Sequence, residues 1–168
     1  ITVGGNGLYY SQKNETDYFA VLKNGGYISG GMELKTNEHS FEFLMYGTKD
    51  YTLSMQMGGN SNLNLYFKAI NTAKGSLYFN DRLLGESILD LGVYYTAKLL
   101  RSGNFLGIKF WKTGETEPTD YTYIVTDPLF ADTYGLKVAP SGDNARFDNF
   151  SGKQSTETLG PSFKEDFN

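Results

Sequence analysis

The residues with the most evident chemical potential lie in the segment FWKTGETEP, at positions 110–118. It contains the only tryptophan of the chain, Trp111, followed by Glu115 and Glu117. Two carboxylates could hydrolyse a glycosidic bond if they were held about 5 Å apart, or somewhat further apart in an inverting enzyme. Both glutamates, however, lie on a turn, and nothing near them indicates a buried or paired carboxylate. We therefore expect a structural hairpin. A tryptophan at a strand end is more often a packing residue, but Trp111 is also a candidate for stacking on a sugar.

Other catalytic chemistries have little support. The chain has no cysteine, which removes thiol nucleophiles, Cys–zinc sites and disulfides together. Its single histidine, His39, lies between Glu38 and Ser40 in a polar segment, where a solvated side chain is expected. A Ser-His-Asp triad and a histidine-rich metal site are therefore not indicated. We expect a protein that is not an enzyme.

A polar surface is predicted in three consecutive segments, 51–57, 62–69 and 76–82, in which apolar and polar residues alternate. If the apolar residues fill the interior, the polar ones share the outer face. The inward set is Leu63, Leu65, Phe67, Leu77 and Phe79. The outward set, with Thr52 and Ser54 beside it, is Gln56, Asn64, Tyr66, Tyr78, Asn80 and Arg82. Its amides, hydroxyls and guanidinium could bind sugar hydroxyls, and tyrosine rings could stack on a pyranose. The alternative is a merely solvated face, but the repeated Asn and Tyr favour binding.

A further tyrosine could lie beside this face. Segment 81–92 reads as a loop, and the Tyr94–Tyr95 pair that follows begins a strand. One of the two must point outward, and Tyr94 is the candidate for contacting a ligand. Tyr9, Tyr10 and Tyr27 could form an edge site instead.

We expect no required cofactor. One candidate calcium site lies in the segment SGDNARFDNF, where Asp143, Asn144 and Asp148 offer the hard oxygen ligands that calcium prefers.

The elements that would position these residues are strands. The chain of 168 residues has 13 Tyr, 12 Phe and 20 Gly, and no stretch has sustained helical spacing. About eleven to thirteen strands are expected, which predicts an all-β, two-sheet antiparallel β-sandwich. The strand segments are 17–22, 26–29, 40–47, 51–59, 62–69, 76–82, 93–100, 105–112, 121–127, 134–139 and 145–151. The net charge of −4 argues against a nucleic-acid partner, and no apolar run is long enough for membrane insertion.

Segment 107–152 resembles the last third of a concanavalin A-like jelly roll. The laminin-G-like modules of bacterial glycan-active proteins and phage tail or baseplate proteins have a similar order of residues. The matching positions are Trp111, Gly114, Glu117, Pro118, Asp127, Gly135, Leu136, Val138, Phe147, Asp148 and Phe150. The resemblance implies a concanavalin A-like jelly roll. In related lectins such as galectins, the meander that corresponds to 51–82 forms the sugar-binding sheet.

The resemblance also bears on the domain boundary. Similar modules open with a short Asp-Phe-Asn strand, which here is absent from the start, whereas FKEDFN stands at the end. We expect a carbohydrate-binding module over 1–152. Residues 153–168 would be a linker plus either a permuted first strand or the start of a following domain.

The expected function is that of a non-catalytic carbohydrate-binding module. It would attach a larger virion, secreted or surface protein to a polysaccharide, such as that of a bacterial cell wall. Its partners would be the polysaccharide and other domains of the larger chain, and several copies could assemble into a multimer. The expected location is a phage tail or the cell surface. Two alternatives stay open at this point: a jelly-roll polysaccharide lyase or hydrolase, and a structural or protein-binding adhesion module.

Overall fold

The computed structural model describes residues 2–5, 9–12, 18–22, 26–31, 39–46, 52–57, 63–132, 135–140 and 145–153 of the chain. Side chains are described for residues 52, 54, 55, 63–130 and 137. Within these ranges the chain forms fourteen strands and one short 3-10 helix, and every strand pair is antiparallel. The prediction of an all-β protein is confirmed.

The strands form two sheets of seven. In chain order they are β1 (Thr2–Gly5), β2 (Tyr9–Gln12), β3 (Tyr18–Leu22), β4 (Gly26–Gly31), β5 (His39–Tyr46), β6 (Thr52–Met57), β7 (Asn64–Ala69), β8 (Lys74–Phe79), β9 (Arg82–Asp90), β10 (Tyr95–Ser102), β11 (Phe105–Lys112), β12 (Tyr123–Thr126), β13 (Gly135–Pro140) and β14 (Ala145–Lys153). The first sheet has the order β1-β4-β13-β6-β7-β8-β9, and the second has the order β12-β11-β10-β5-β14-β3-β2. The 3-10 helix spans Pro128–Asp132.

The core lies between the two sheets and is filled by alternate residues of their strands. Leu65 and Phe67 of β7 are buried from the first sheet, and Leu99 and Ile108 are buried from the second. Across the interface the rings of Phe67 and Phe110 meet edge to face, with their centroids 5.2 Å apart. All five residues that the sequence predicts to point inward are buried, at 0–9% exposure. The predicted orientation of the meander is therefore confirmed.

The structure corrects the prediction of a loop over 81–92, because Arg82–Asp90 is a strand paired with β8. The pairing register shifts twice, between Gly75 and Leu77 and between Leu77 and Tyr78, so β9 carries extra residues that break the alternation. Ser87 has a positive φ of 53°. Its backbone N–H donates to the Oγ of Ser76 at 2.8 Å. The irregular strand thus remains attached to its partner. Strands β1 and β2 were also missed by the sequence reading, whereas all eleven predicted segments contain strands.

The last described strand, β14, ends at Lys153. Residues 154–168, on which the predicted linker and permuted strand depend, lie outside the described ranges, so the domain boundary stays a prediction. A search of the described residues for a helix long and apolar enough to cross a membrane found none.

Candidate functional site

Two tyrosines stand side by side on the outer face of the first sheet. In the β7–β8 ladder Tyr66 is directly opposite Tyr78, and in the β6–β7 ladder Ser54 is opposite Tyr66. Directly opposed residues in an antiparallel pair place their Cβ atoms about 5 Å apart on one face of the sheet. The neighbouring residues Leu65, Phe67 and Leu77 are buried on the opposite face. The rings are therefore held next to each other by the sheet itself.

An open cleft of about 400 Å³ lies over these rings. Its lining combines two aromatic rings with hydroxyl, amide and charged groups: Thr52, Tyr66, Lys68, Tyr78, Asn80 and Asp81. Among the described residues, no hydrogen bond or ion pair engages the side chains of Tyr66, Lys68, Tyr78 or Asp81. These groups can therefore form hydrogen bonds with a ligand without first giving up a described internal bond.

Asn80 forms the end of the cleft and also shapes its turn. It stands between β8 and β9 with a positive φ of 50°, a conformation that Asn tolerates better than most residues. Its side-chain oxygen accepts the backbone N–H of Asn64 at 3.1 Å, and its own N–H donates to the Asn64 carbonyl at 2.8 Å. Asn64 and Asn80 are thus brought together as predicted. Gln56 lies opposite Asn64 in the register of β6 and β7.

Sequence reasoning missed two residues of the cleft. Lys68 continues the period-two row of β7 that contains Asn64 and Tyr66, and it lies opposite Thr52 and Ser76 in the two ladders. The alternation is a sufficient signal for Lys68, because this residue shares the outward row with Asn64 and Tyr66. Asp81 carries no such signal, because it lies in the turn beyond the end of β8.

Arg82 is exposed, but it does not continue the row of Tyr66 and Tyr78. Arg82 begins β9 and lies opposite Phe79, which faces the core. Leu83 lies opposite Tyr78 instead, and 46% of its surface is exposed. The two-residue turn reverses the chain before Arg82, so that the alternation cannot be continued from β8. The tyrosine row is therefore extended by an apolar residue.

Tyr94 is not among the residues that line the cleft. It follows the end of β9, whose last residue, Asp90, pairs with Lys74 of β8. The Tyr94 carbonyl accepts the N–H of Thr113 in the second sheet's hairpin. The predicted contact of Tyr94 with a ligand stays a prediction, although the segment before it is the strand β9 and not the predicted loop. Its neighbour Tyr95 packs in the core.

Trp111 lies on the opposite side of the molecule from the cleft. It pairs with Thr96 on β10, between the core-facing Phe110 and Lys112 at the end of β11, and it is half-buried. Its outward direction from the second sheet agrees with the predicted alternation. Because the two sheets are about 10 Å apart, one ligand cannot contact both Trp111 and the tyrosine pair across the sandwich. The predicted residues therefore do not form one site.

Ion pairs and hydrogen bonds hold the hairpin that follows Trp111 against the second sheet. The Nζ of Lys109 donates to Glu117 Oε2 at 2.9 Å and to the Pro118 carbonyl at 2.7 Å, and it lies 4.6 Å from the centroid of the Tyr121 ring. Lys98 Nζ is 3.8 Å from the same Glu117 oxygen. Both lysines are almost fully buried. Glu117 therefore neutralises two buried cations, which agrees with the prediction of a structural hairpin.

The candidate calcium site stays untested. Asp143 and Asn144 lie outside the described residues, and Asp148 lies on β14 at a position whose side chain is not described. In the described part of the chain, no group of three or more His, Cys, Asp or Glu residues could hold a metal ion.

No protein-family model and no curated protein sequence matches the chain. Solved structures do match it. A functionally unknown protein from Saccharomyces cerevisiae is similar with a TM-score of 0.55 and 11% identity, over 93% of this chain and 97% of that one. A family 7 alginate lyase in complex with substrate is similar with a TM-score of 0.56 and 8% identity, over 89% and 83% of the two chains.

A third solved structure is a CBM2 module of the evolved Dit protein of Lactobacillus casei BL23 phage J-1. It is similar with a TM-score of 0.50 and 15% identity, over 90% of this chain and 78% of that one. Identities this low establish the fold alone. Together with the two seven-stranded sheets, these similarities identify the chain as a concanavalin A-like jelly roll.

Proposed function

We propose that this protein is a non-catalytic carbohydrate-binding module whose ligand lies in the cleft over Tyr66 and Tyr78. The observation that carries the proposal is the tyrosine pair itself, held side by side on an outer face while the aliphatic residues of the same strands fill the core. Both rings are half-buried, and a pair of aromatic rings lining a cleft can offer flat apolar surfaces to the C–H face of a pyranose. The hydroxyl, amide and charged groups around them suit the sugar's hydroxyls.

The lining of the cleft favours binding over hydrolysis. Hydrolysis by the usual mechanism uses two carboxylates, one on each side of the scissile bond. Among the described lining residues Asp81 is the only carboxylate. Glu117 lies in the connection between β11 and β12 of the second sheet, where it pairs with Lys109. A jelly-roll lyase remains the alternative, supported by the fold that the chain shares with an alginate lyase.

The proposed role in the larger protein is attachment to a bacterial cell-wall polysaccharide, as part of a virion, secreted or surface protein. Support comes from the phage Dit module of similar fold. A shallow cleft with a few hydrogen bonds gives weak affinity, with a Kd on the order of 0.01–1 mM. Several copies on one particle would raise the effective affinity through avidity.

Calorimetric titration tests the proposal. The protein is screened on a glycan array and on purified bacterial wall polysaccharides, and the best oligosaccharide is titrated into wild type, Tyr66→Ala and Tyr78→Ala. We expect each variant to bind about five- to thirtyfold more weakly, which corresponds to about 1–2 kcal/mol for a lost stacking surface.

Leu129→Ala is the matched control, because Leu129 is an exposed apolar residue on the 3-10 helix, outside the cleft lining. Its affinity should equal that of wild type. Unchanged binding by both tyrosine variants would disprove the location of the site, and release of oligosaccharide products by the isolated protein would disprove the non-catalytic role.

A further inference from the structure

The cleft is electrically asymmetric along its length. Lys68 lies opposite Ser76 in the β7–β8 ladder, whereas Asp81 lies in the turn five residues further along the chain. At about 3.3 Å per residue, this separation along the strands is about 15 Å. Charges that far apart in water at physiological ionic strength hardly neutralise each other, because the Debye length is about 8 Å. Among the lining residues, the cation therefore lies at one end of the cleft and the carboxylate at the other, and the exposed Arg82 that follows Asp81 is not part of the lining.

The lining groups beside the two charges also differ. At the cationic end the side chain of Lys68 is exposed, and Thr52 stands opposite it in the β6–β7 ladder with a hydroxyl that can also donate to an anion. At the other end Asp81 is exposed beside Asn80, whose side-chain oxygen already accepts a hydrogen bond from Asn64. The tyrosine pair lies between the two ends. A carboxylate at the Asp81 end would repel an acidic sugar placed there.

We infer that the cleft selects a saccharide in which an acidic unit is followed by a neutral one. The carboxylate, or another anionic substituent, of the acidic unit would lie against Lys68 and Thr52. A sugar ring would stack on Tyr66 and Tyr78. The hydroxyl or amide N–H groups of the neutral unit would donate to Asp81. This inference rests on the proposed function and names its ligand class: an alternating acidic–neutral glycan, in preference to a neutral polymer or one that is acidic at every unit.

Three defined probes separate these classes: a hyaluronan hexasaccharide, in which glucuronate alternates with N-acetylglucosamine; an oligoguluronate, in which every unit is acidic; and chitohexaose, which is neutral. An array that holds further members of each class accompanies them, because stereochemistry also affects fit. We expect the alternating class to bind best. Lys68→Gln should weaken that binding about two- to fivefold, as for the loss of an exposed charge contact, and added salt should weaken wild type but hardly affect the variant.

Two further variants complete the test. Asp81→Asn should reduce the difference in affinity between the alternating and the uniformly acidic probes, because uniformly acidic probes would no longer be repelled from that end. Lys112→Gln is the charge-matched control. Lys112 is exposed on the second sheet, and Asp90, its partner, keeps Lys74. The control should bind as wild type does.

The outcomes distinguish the ligand class from the proposed function. If neutral or uniformly acidic glycans bind as well as alternating ones, or if Lys68→Gln leaves binding and its salt dependence unchanged, the inference is overturned while the carbohydrate-binding function stands. If no class binds, or if binding is insensitive to Tyr66→Ala and Tyr78→Ala, the proposed site is wrong and the inference falls with it.

Discussion

At the scale of single residues, Asn80 has the most constrained position in the candidate site. Its positive φ shapes the turn between β8 and β9, and its side chain lines the cleft. Its side-chain oxygen accepts a hydrogen bond from the N–H of Asn64, the first residue of β7. The sequence predicted that Asn80 faces outward beside Tyr78, since an alternating pattern indicates which face a side chain occupies. It did not predict the turn, because alternation carries no information on where a strand ends. For the same reason it did not predict that Arg82 lies opposite Phe79.

The two roles of Asn80 can be separated by substitution. Asn80→Gly removes the side chain but keeps the left-handed backbone accessible, whereas Asn80→Ala removes the side chain and adds a backbone cost of about 1–2 kcal/mol. Both variants lose the hydrogen bond from the Asn64 N–H to the Asn80 side-chain oxygen, which contributes about 1 kcal/mol. We expect the alanine variant to be less stable than the glycine variant by about 1 kcal/mol in urea denaturation. Equal stabilities would mean that the backbone strain at Asn80 is negligible.

At the scale of elements, β9 is the strand that sequence patterns could not reveal. Two register shifts add residues to it. It also contains Gly85, at a position where a side chain would collide with Tyr123 of β12. A Cβ at Gly85 would lie 2.8 Å from the hydroxyl oxygen of Tyr123. Burial raises the pKa of the Tyr123 hydroxyl, consistent with a ring packed under the strand. These contacts depend on which strands meet in space. A single sequence does not contain that information, and the residues of 81–92 therefore resembled a loop.

The same strand ends in a charge cluster that links the two sheets. Asp90 on β9 pairs with Lys74 on β8, and its other oxygen is 3.0 Å from Lys112 on β11. The hydrogen bond from Lys74, followed by that from Lys112, holds the pKa of Asp90 below its ordinary value of 3.8. The hydrogen bond to Asp90 likewise raises the pKa of Lys112 above 10.5. The cluster thus favours the charged forms of these groups in the folded state.

This cluster predicts how stability depends on pH. Because the folded-state pKa of Asp90 is depressed, its stabilisation is complete above pH 3.8 and is lost as the pH falls through the folded value. The Lys112 contribution is complete below pH 10.5 and is lost as the pH rises through its raised value. In urea denaturation from about pH 5 down to pH 2, the stability difference between wild type and Asp90→Asn should shrink. A difference that stays constant across this range would contradict a depressed pKa.

At the scale of the whole molecule, the sandwich decides which candidate residues can act together. The sequence predicted the two-sheet jelly roll and the inward set from Leu63 to Phe79, because amphipathic alternation is a local property of each strand. Alternation does not say which sheet a strand joins. The predicted set therefore combined the tyrosine pair of the first sheet with two residues elsewhere: Trp111 on β11 of the second sheet, and Tyr94 directly before β10. The three-dimensional structure assigns Tyr66 and Tyr78 to the cleft on the first sheet, and it shows that the hairpin after Trp111 is held to the second sheet by a buried lysine.

The most direct test of the proposed function is an NMR titration that observes the tyrosine rings. Protein labelled with carbon-13 in its 13 tyrosines is titrated with the oligosaccharide that binds best on the array. Ring signals are assigned by single Tyr→Phe substitutions. We predict that the signals of Tyr66 and Tyr78 shift together with one binding constant, while those of Tyr94, Tyr95 and Tyr121, together with the Trp111 indole, stay in place. Saturable shifts at Trp111 or Tyr94 without shifts at the tyrosine pair would contradict a sugar-binding cleft on the first sheet.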